Sequence, residues 1–233
     1  MPRHIKAVPG RKTDVKDAEW IARLQRHGLV QGSFIPNREQ RELKEIVRNR
    51  RSIVEERTRE VNRLQKVLEG GNIKLSSVAS NVLGVSGRNM LEAMIEGEED
   101  TSILADFALK KLKDKKEELK LALEGLLGAH QIYMLEKQLA HIDYVNELIS
   151  KLDDEIEKRM TPFTEELKLL DSIPGVGKRT AEQIIAEIGT DMSRFPTPGH
   201  LCSWAGMTPG HDESAGKKSP PRRVKEIRSF EAP

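Results

Sequence analysis

Apolar positions along this chain recur at helical spacing. From Arg38 to Leu68 there is neither Pro nor Gly, and Leu43, Ile46, Val47, Ile53, Val54, Val61, Leu64 and Leu68 return at intervals that suit one helix face. At about 100° per residue, that spacing predicts a single long helix. A second run, Ile132, Leu135, Leu139, Ile142, Val145, Ile149, Leu152 and Ile156, steps by three and four. This coiled-coil-like spacing predicts a helix from His130 to Met160, which Pro162 ends or offsets. A shorter helix is expected from Thr13 or Asp14 to about His27, closed by Gly28. The opening, Met1 to Lys12, reads as irregular, and Gly32 to Pro36 as a connector.

Gly70-Gly71 breaks the first long helix. Residues 72–97 read as short helices with turns at Gly84 and Gly87, Glu96 to Asp100 as an acidic turn, and Leu104 to Leu127 as one charged helix that includes the run Lys110 to Lys120. A compact module follows from Phe163 to about Gly210. The segment after Ser214 is basic, proline-containing and poor in apolar residues, so disorder is expected there.

Composition narrows the class. One third of the 233 residues are charged and only 4% are aromatic, which suits helices with long solvated faces. Cys202 is the single cysteine, so a disulfide framework within the chain is excluded and a reducing compartment fits. Its apolar surroundings before Trp204 mark it as a core residue. No apolar run approaches the roughly 20 residues of a membrane span, and no signal segment follows Met1. A cytoplasmic location without membrane contact is expected. Net charge is only +2, so any polyanion binding must come from the distribution of charge rather than its total.

Four constellations could carry chemistry. Asp14 and Asp17 stand three apart at a helix start. Their carboxylates can hold part of a magnesium site, or they can serve as N-cap and first-turn acids. Arg41, Lys44, Arg48, Arg51, Arg59 and Lys66 are expected opposite the apolar face of the first long helix, a stripe able to track a phosphate backbone or simply a solvated face. Arg50 and Arg57 fall within the apolar stripe, where they snorkel or pair with acids on a partner helix. In Leu170-Asp171-Ser172-Ile173-Pro174-Gly175-Val176-Gly177-Lys178-Arg179, Gly175 and Gly177 permit a tight turn. Backbone N–H groups and the charges of Lys178 and Arg179 then meet at a helix N-terminus, as an anion requires. This pattern looks like a helix-hairpin-helix element, which grips DNA phosphate without reading sequence, against the plainer reading of a helical hairpin. Last, Ser214 precedes a glycine and Lys217-Lys218. Neighbouring cations can activate a serine hydroxyl toward a phosphate, although a serine in a flexible loop needs no such role.

Taken together, Lys-Thr-Asp-x-x-Asp-Ala, RTREVNRLQKVLE, IPGVGKRTAEQIIAEIG and FPTPGHLCSWAGMTPGHDESAGKK, in this order from about Gly10 to Lys218, resemble the DEDD-type transposases of the insertion-sequence family numbered one hundred and ten. The resemblance implies a RuvC-like α/β domain with four acids that bind Mg2+, a coiled-coil region, and a C-terminal transposase domain with a serine nucleophile. Asp14 and Asp17 match the third and fourth acids, and Ser214 matches the serine. It further implies DNA as partner, in some members a structured guide RNA, and homo-oligomers formed through the long helices.

The expected fold is mainly α. Residues 1–36 would be a remnant of the RuvC-like domain, 37–160 a long helical, coiled-coil-like region, 161–218 a helix-hairpin-helix transposase domain, and 219–233 a basic disordered tail. Positions matching the first two acids are not found in this sequence. The chain is therefore expected to be an incomplete transposase that binds nucleic acid without transposing by itself. The alternatives are a non-enzymatic helical module for nucleic-acid binding or dimerisation, and an inert product.

Overall fold

The structure, a computed structural model, describes residues 14–29 and 36–205, and beyond them only the backbone pairing of Glu213–Ser214 with Lys217–Lys218. For residues 14–17 the backbone alone is described. The expected irregular opening, residues 32–35 of the connector and the tail 219–233 lie outside the described residues. The chain divides into two compact units, 1–39 and 40–233. In the first, α1 spans Asp14–Arg26. Leu29 donates its N–H to the Leu24 carbonyl at 3.0 Å past Gly28, whose φ is 68°, so the helix stops where its glycine predicts.

The second unit is organised on two long helices, α2 (Arg38–Gly70) and α6 (Ala129–Met160). They run antiparallel. Arg159 reaches Glu42 at 3.3 Å, Arg50 pairs with Asp153, Arg57 donates to Asn146 at 2.5 Å, and Gln131 donates to the Val67 carbonyl at 3.3 Å. Partners thus climb one helix as they descend the other. Gln131 also accepts the Gly128 N–H at 2.9 Å, the half of a capping box that a glycine N-cap permits, so one side chain starts α6 and fixes it to α2. The regular spacing of α6 is met inside one chain by α2.

Apolar burial concentrates toward the two ends of this pair. At one end Leu64 and Leu68 of α2 and Leu135, Leu139 and Ile142 of α6 join the insert between the helices. The insert contains a 3-10 turn at Leu75–Ser77, then α3 (Val85–Ile95), α4 (Thr101–Asp106), a 3-10 turn at Lys110–Lys115 and α5 (Lys116–Ala122). At the other end Leu43 and Val47 meet Ile156 and Met160, with Ile185 and Ala186 from the C-terminal module. That module follows a 3-10 turn at Thr161–Phe163, around Pro162. It comprises α7 (Thr164–Asp171), α8 (Lys178–Ile188), a 3-10 turn at Met192–Arg194 and α9 (Pro198–Trp204). Among the described residues, strand structure is confined to a two-residue antiparallel pair, β1 (Glu213–Ser214) and β2 (Lys217–Lys218). Among the described residues no helix is long and apolar enough to cross a membrane.

Two expectations about the insert need correction. Gly87 is not a turn residue but lies in the first turn of α3, pressed against the preceding chain. A Cβ there would stand 2.1 Å from the Val82 carbonyl oxygen, so the glycine permits a close backbone approach. Leu104 to Leu127 is not one helix either. α4 ends at Asp106, Leu109 donates its N–H to the Ser86 hydroxyl at 2.9 Å, and Lys110 adopts φ 53° before the chain turns back. A straight helix over this span would run roughly 36 Å and carry Leu119 and Leu123 away from Ile73 and Leu75. Folding back buries Leu104, Ala105, Leu119 and Leu123 in one core.

Candidate nucleic-acid interface

α7 and α8 are joined by a turn whose residues dictate its shape. Val176 donates to the Ile173 carbonyl at 2.9 Å, with Pro174 and Gly175 between them and Gly175 at φ 87°. Pro presets the second turn position, and the left-handed third position suits glycine. Gly177 then starts α8 in extended conformation, with no side-chain cap. The first intrahelical bond runs from the Ala181 N–H to the Gly177 carbonyl at 3.0 Å. The preceding N–H groups of the first turn have no acceptor within the helix. A Cβ at either Gly175 or Gly177 would meet nothing within 4 Å, so the turn is open.

The two basic residues at this N-terminus are already engaged. Lys178 lies 3.3 Å from Glu157, and Arg179 lies 2.7 Å from Asp153 and 2.9 Å from Glu182. Asp153 also accepts from Arg50, so one carboxylate of α6 joins α2 and α8. Glu182 is 2% exposed and its Oε1 has no hydrogen-bond partner.

Deeper in the module, Glu187 is buried and receives Lys44 at 2.7 Å and Arg48 at 2.6 Å. Burial pushes its carboxyl pKa up, but hydrogen bonds and charge from Arg48 and Lys44 outweigh that and hold it below the usual carboxylate range. The expected basic stripe is therefore divided. Arg41, Arg59 and Lys66 are exposed. Arg51 pairs with Glu55 at 3.3 Å. Lys44 and Arg48 of the same stripe ion-pair with Glu187 and so tie α2 to α8. Arg50 pairs across helices as one of its two readings had it. Asp153, Glu157 and Glu187 were not singled out from the sequence. The signal for Glu187 was an acid among Ile185, Ala186 and Ile188, a setting in which a carboxylate requires cationic partners.

Asp14 and Asp17 both fall in the first turn of α1. Two carboxylates three apart offer the oxygen donors that Mg2+ takes alongside phosphate and water. Among the described residues, no three His, Cys, Asp or Glu side chains gather as a metal site. Ser214 is paired in backbone register with Lys217, and Glu213 with Lys218; their side chains lie outside the described residues. Cys202 is half-buried on α9 rather than a core residue; Trp204 of the same helix makes an edge-to-face contact with Phe195.

Two family models match the chain. The DEDD-type IS110 model, described as a transposase, matches residues 1–73. The model described as the transposase IS116/IS110/IS902 family matches residues 167–229. No curated protein and no solved structure gave a match. The first match contains Asp14, Asp17 and all of α2. The second contains the glycine turn, α8 and Ser214, and continues past Lys218 into the segment that composition had set apart as a tail. Both ends of the chain thus point to one family, and the protein belongs to the IS110 family of transposases.

Proposed function

We propose that this transposase chain binds DNA by presenting the Ile173–Gly177 turn and the N-terminus of α8 to the phosphate backbone, as a helix-hairpin-helix element. The observation that carries this reading is the open, uncapped helix start at Gly177 within a span matched by the transposase model. Unpaired N–H groups and the helix dipole favour an anion there. Such contacts position a protein on a duplex without reading its sequence. Lys178 and its partner Glu157 are largely exposed, so exchanging that ion pair for a phosphate costs little.

Within this reading Ser214 attacks a DNA phosphate. The hydroxyl gives up its proton, an Oγ–P bond forms, and a P–O bond of the strand breaks to release a hydroxyl end. Lys217 and Lys218 offset the charge that develops. Asp14 and Asp17 would hold Mg2+, which supplies Lewis-acid polarisation of a phosphate.

Gly177→Asp tests the binding surface without threatening the fold. Gly177 has φ −88° and open space around it, so an aspartate fits and caps α8. Its carboxylate would occupy the place of the phosphate. The variant is expected to melt no lower than the wild type and to bind duplex DNA about tenfold more weakly or worse, the scale of one charge-assisted hydrogen bond. Unchanged affinity in fluorescence anisotropy would remove α8 from the interface.

A further inference from the structure

The insert that packs against the far ends of α2 and α6 carries a second concentration of positive charge, between the two matched spans. Lys110, Lys111 and Lys113 are exposed. Among the described residues no carboxylate pairs with any of them. Their neighbours differ: Lys115 faces Glu118 at 3.7 Å, Lys116 faces Asp106 at 2.6 Å, and Lys120 faces Glu117 at 2.9 Å. Acids of the insert thus neutralise one part of the lysine run and leave the other bare. Asp114 is the one acid inside the 3-10 turn, and it pairs with none of the three lysines.

The bare lysines are held in place. Upstream, the Leu109 N–H is bound to the Ser86 hydroxyl. Leu112 packs on the core, and the Lys116–Asp106 pair fixes the downstream end. Lys110 takes a left-handed φ of 53°, which an L side chain adopts at a cost. Leu112 turns into the core while Lys110, Lys111 and Lys113 around it stay exposed.

We propose that Lys110, Lys111 and Lys113 form a second contact for the DNA backbone, at the opposite end of the helical pair from α8. Lysine serves phosphate as a point charge without a demand for bidentate geometry, and a short, fixed, unneutralised cluster meets that need. Each phosphate neutralised releases counterions and steepens the salt dependence of binding. The proposal rests on the reading of this chain as a DNA binder and adds a separate surface to it.

The test measures duplex affinity against salt by fluorescence anisotropy, using a long duplex of random sequence. The full chain is compared with a triple variant, Lys110→Gln with Lys111→Gln and Lys113→Gln, and with the corresponding triple Lys→Arg variant. The glutamine variant should melt like the wild type, and its log Kd against log salt slope should be shallower by up to about 2.7, three contacts at about 0.9 each. The arginine variant should keep the wild-type slope. If the glutamine variant keeps that slope too, the second contact is refuted while DNA binding at α8 stands. Absence of any wild-type binding would instead sink the reading on which the proposal rests. If the glutamine variant loses affinity for poly-glutamate but not duplex slope, the cluster serves an acidic protein segment and the DNA assignment falls.

Discussion

Arg48 grips Glu187 with both arms of its guanidinium, Nε to Oε1 at 2.6 Å and Nη2 to Oε2 at 2.9 Å, across 139 residues of sequence. Lys44 adds a second cation, so the first long helix holds α8 by charge as well as through Leu43, Val47, Ile185 and Ala186. Glu187→Gln should lower stability by about 1–3 kcal/mol, since it weakens charge-assisted bonds of a buried carboxylate. The sign of the pH dependence follows from the lowered pKa of Glu187. Its stabilising contribution is fully present above the unfolded carboxyl value and is lost as pH falls through the lower folded value. Urea melts of both proteins from neutral to acid pH should therefore converge below the ordinary carboxylate range. A constant gap down to strong acid would show that Glu187 acts by packing alone.

Glu157 stands 3.3 Å from Lys178 at the mouth of the α8 turn. A carboxylate in this place competes with DNA for the lysine and repels phosphate. Glu157→Gln should therefore tighten duplex binding several-fold at low salt, with stability changed by less than about 1 kcal/mol because the pair is exposed. The advantage should shrink as salt screens it. Weaker binding by this variant would mean that the Lys178–Glu157 pair positions the turn rather than guarding it.

The long helices were legible because nothing interrupts their periodicity. Arg38–Gly70 and Ala129–Met160 fall within two residues of the spans their apolar spacing predicts. The glycine turn was legible because Pro174 and Gly175 demand particular backbone angles. The break after Asp106 was not, since Leu104, Leu112, Leu119 and Leu123 keep helical phase across it and only the shared core requires the fold-back. The candidate site divides in the same way. Gly177, Lys178 and Arg179 were read from local pattern, whereas the acids that engage those cations come from α6, near in space but distant in sequence.

Gly87 provides a direct check on the close approach of α3 to the chain before it. The nearest atoms to an added Cβ are the Val82 carbonyl oxygen at 2.1 Å and carbon at 2.8 Å, backbone that cannot rotate aside. In an open helix Gly→Ala would stabilise by about 1 kcal/mol. Here Gly87→Ala should instead destabilise by about 1–3 kcal/mol, the cost of overpacking. Thermal melts decide between opposite signs: a raised midpoint would show that residues 82 and 87 are not in contact.

Ser214 separates catalysis from binding. Its backbone is paired with Lys217, and neither residue belongs to the α8 turn. Ser214→Ala should therefore bind duplex DNA within about twofold of the wild type, a difference of only about 0.4 kcal/mol. If the serine is the nucleophile, the wild-type chain incubated with DNA and Mg2+ yields a covalent protein–DNA adduct that survives denaturing gel electrophoresis, and the alanine variant yields none. Chelation should remove the adduct while leaving binding measurable, because phosphate contacts through N–H groups and lysines require no metal. If both proteins bind equally and neither forms an adduct, the chain acts as a DNA-binding module and the chemistry assigned to Ser214 is refuted. An adduct formed equally by both proteins would place the nucleophile at another residue.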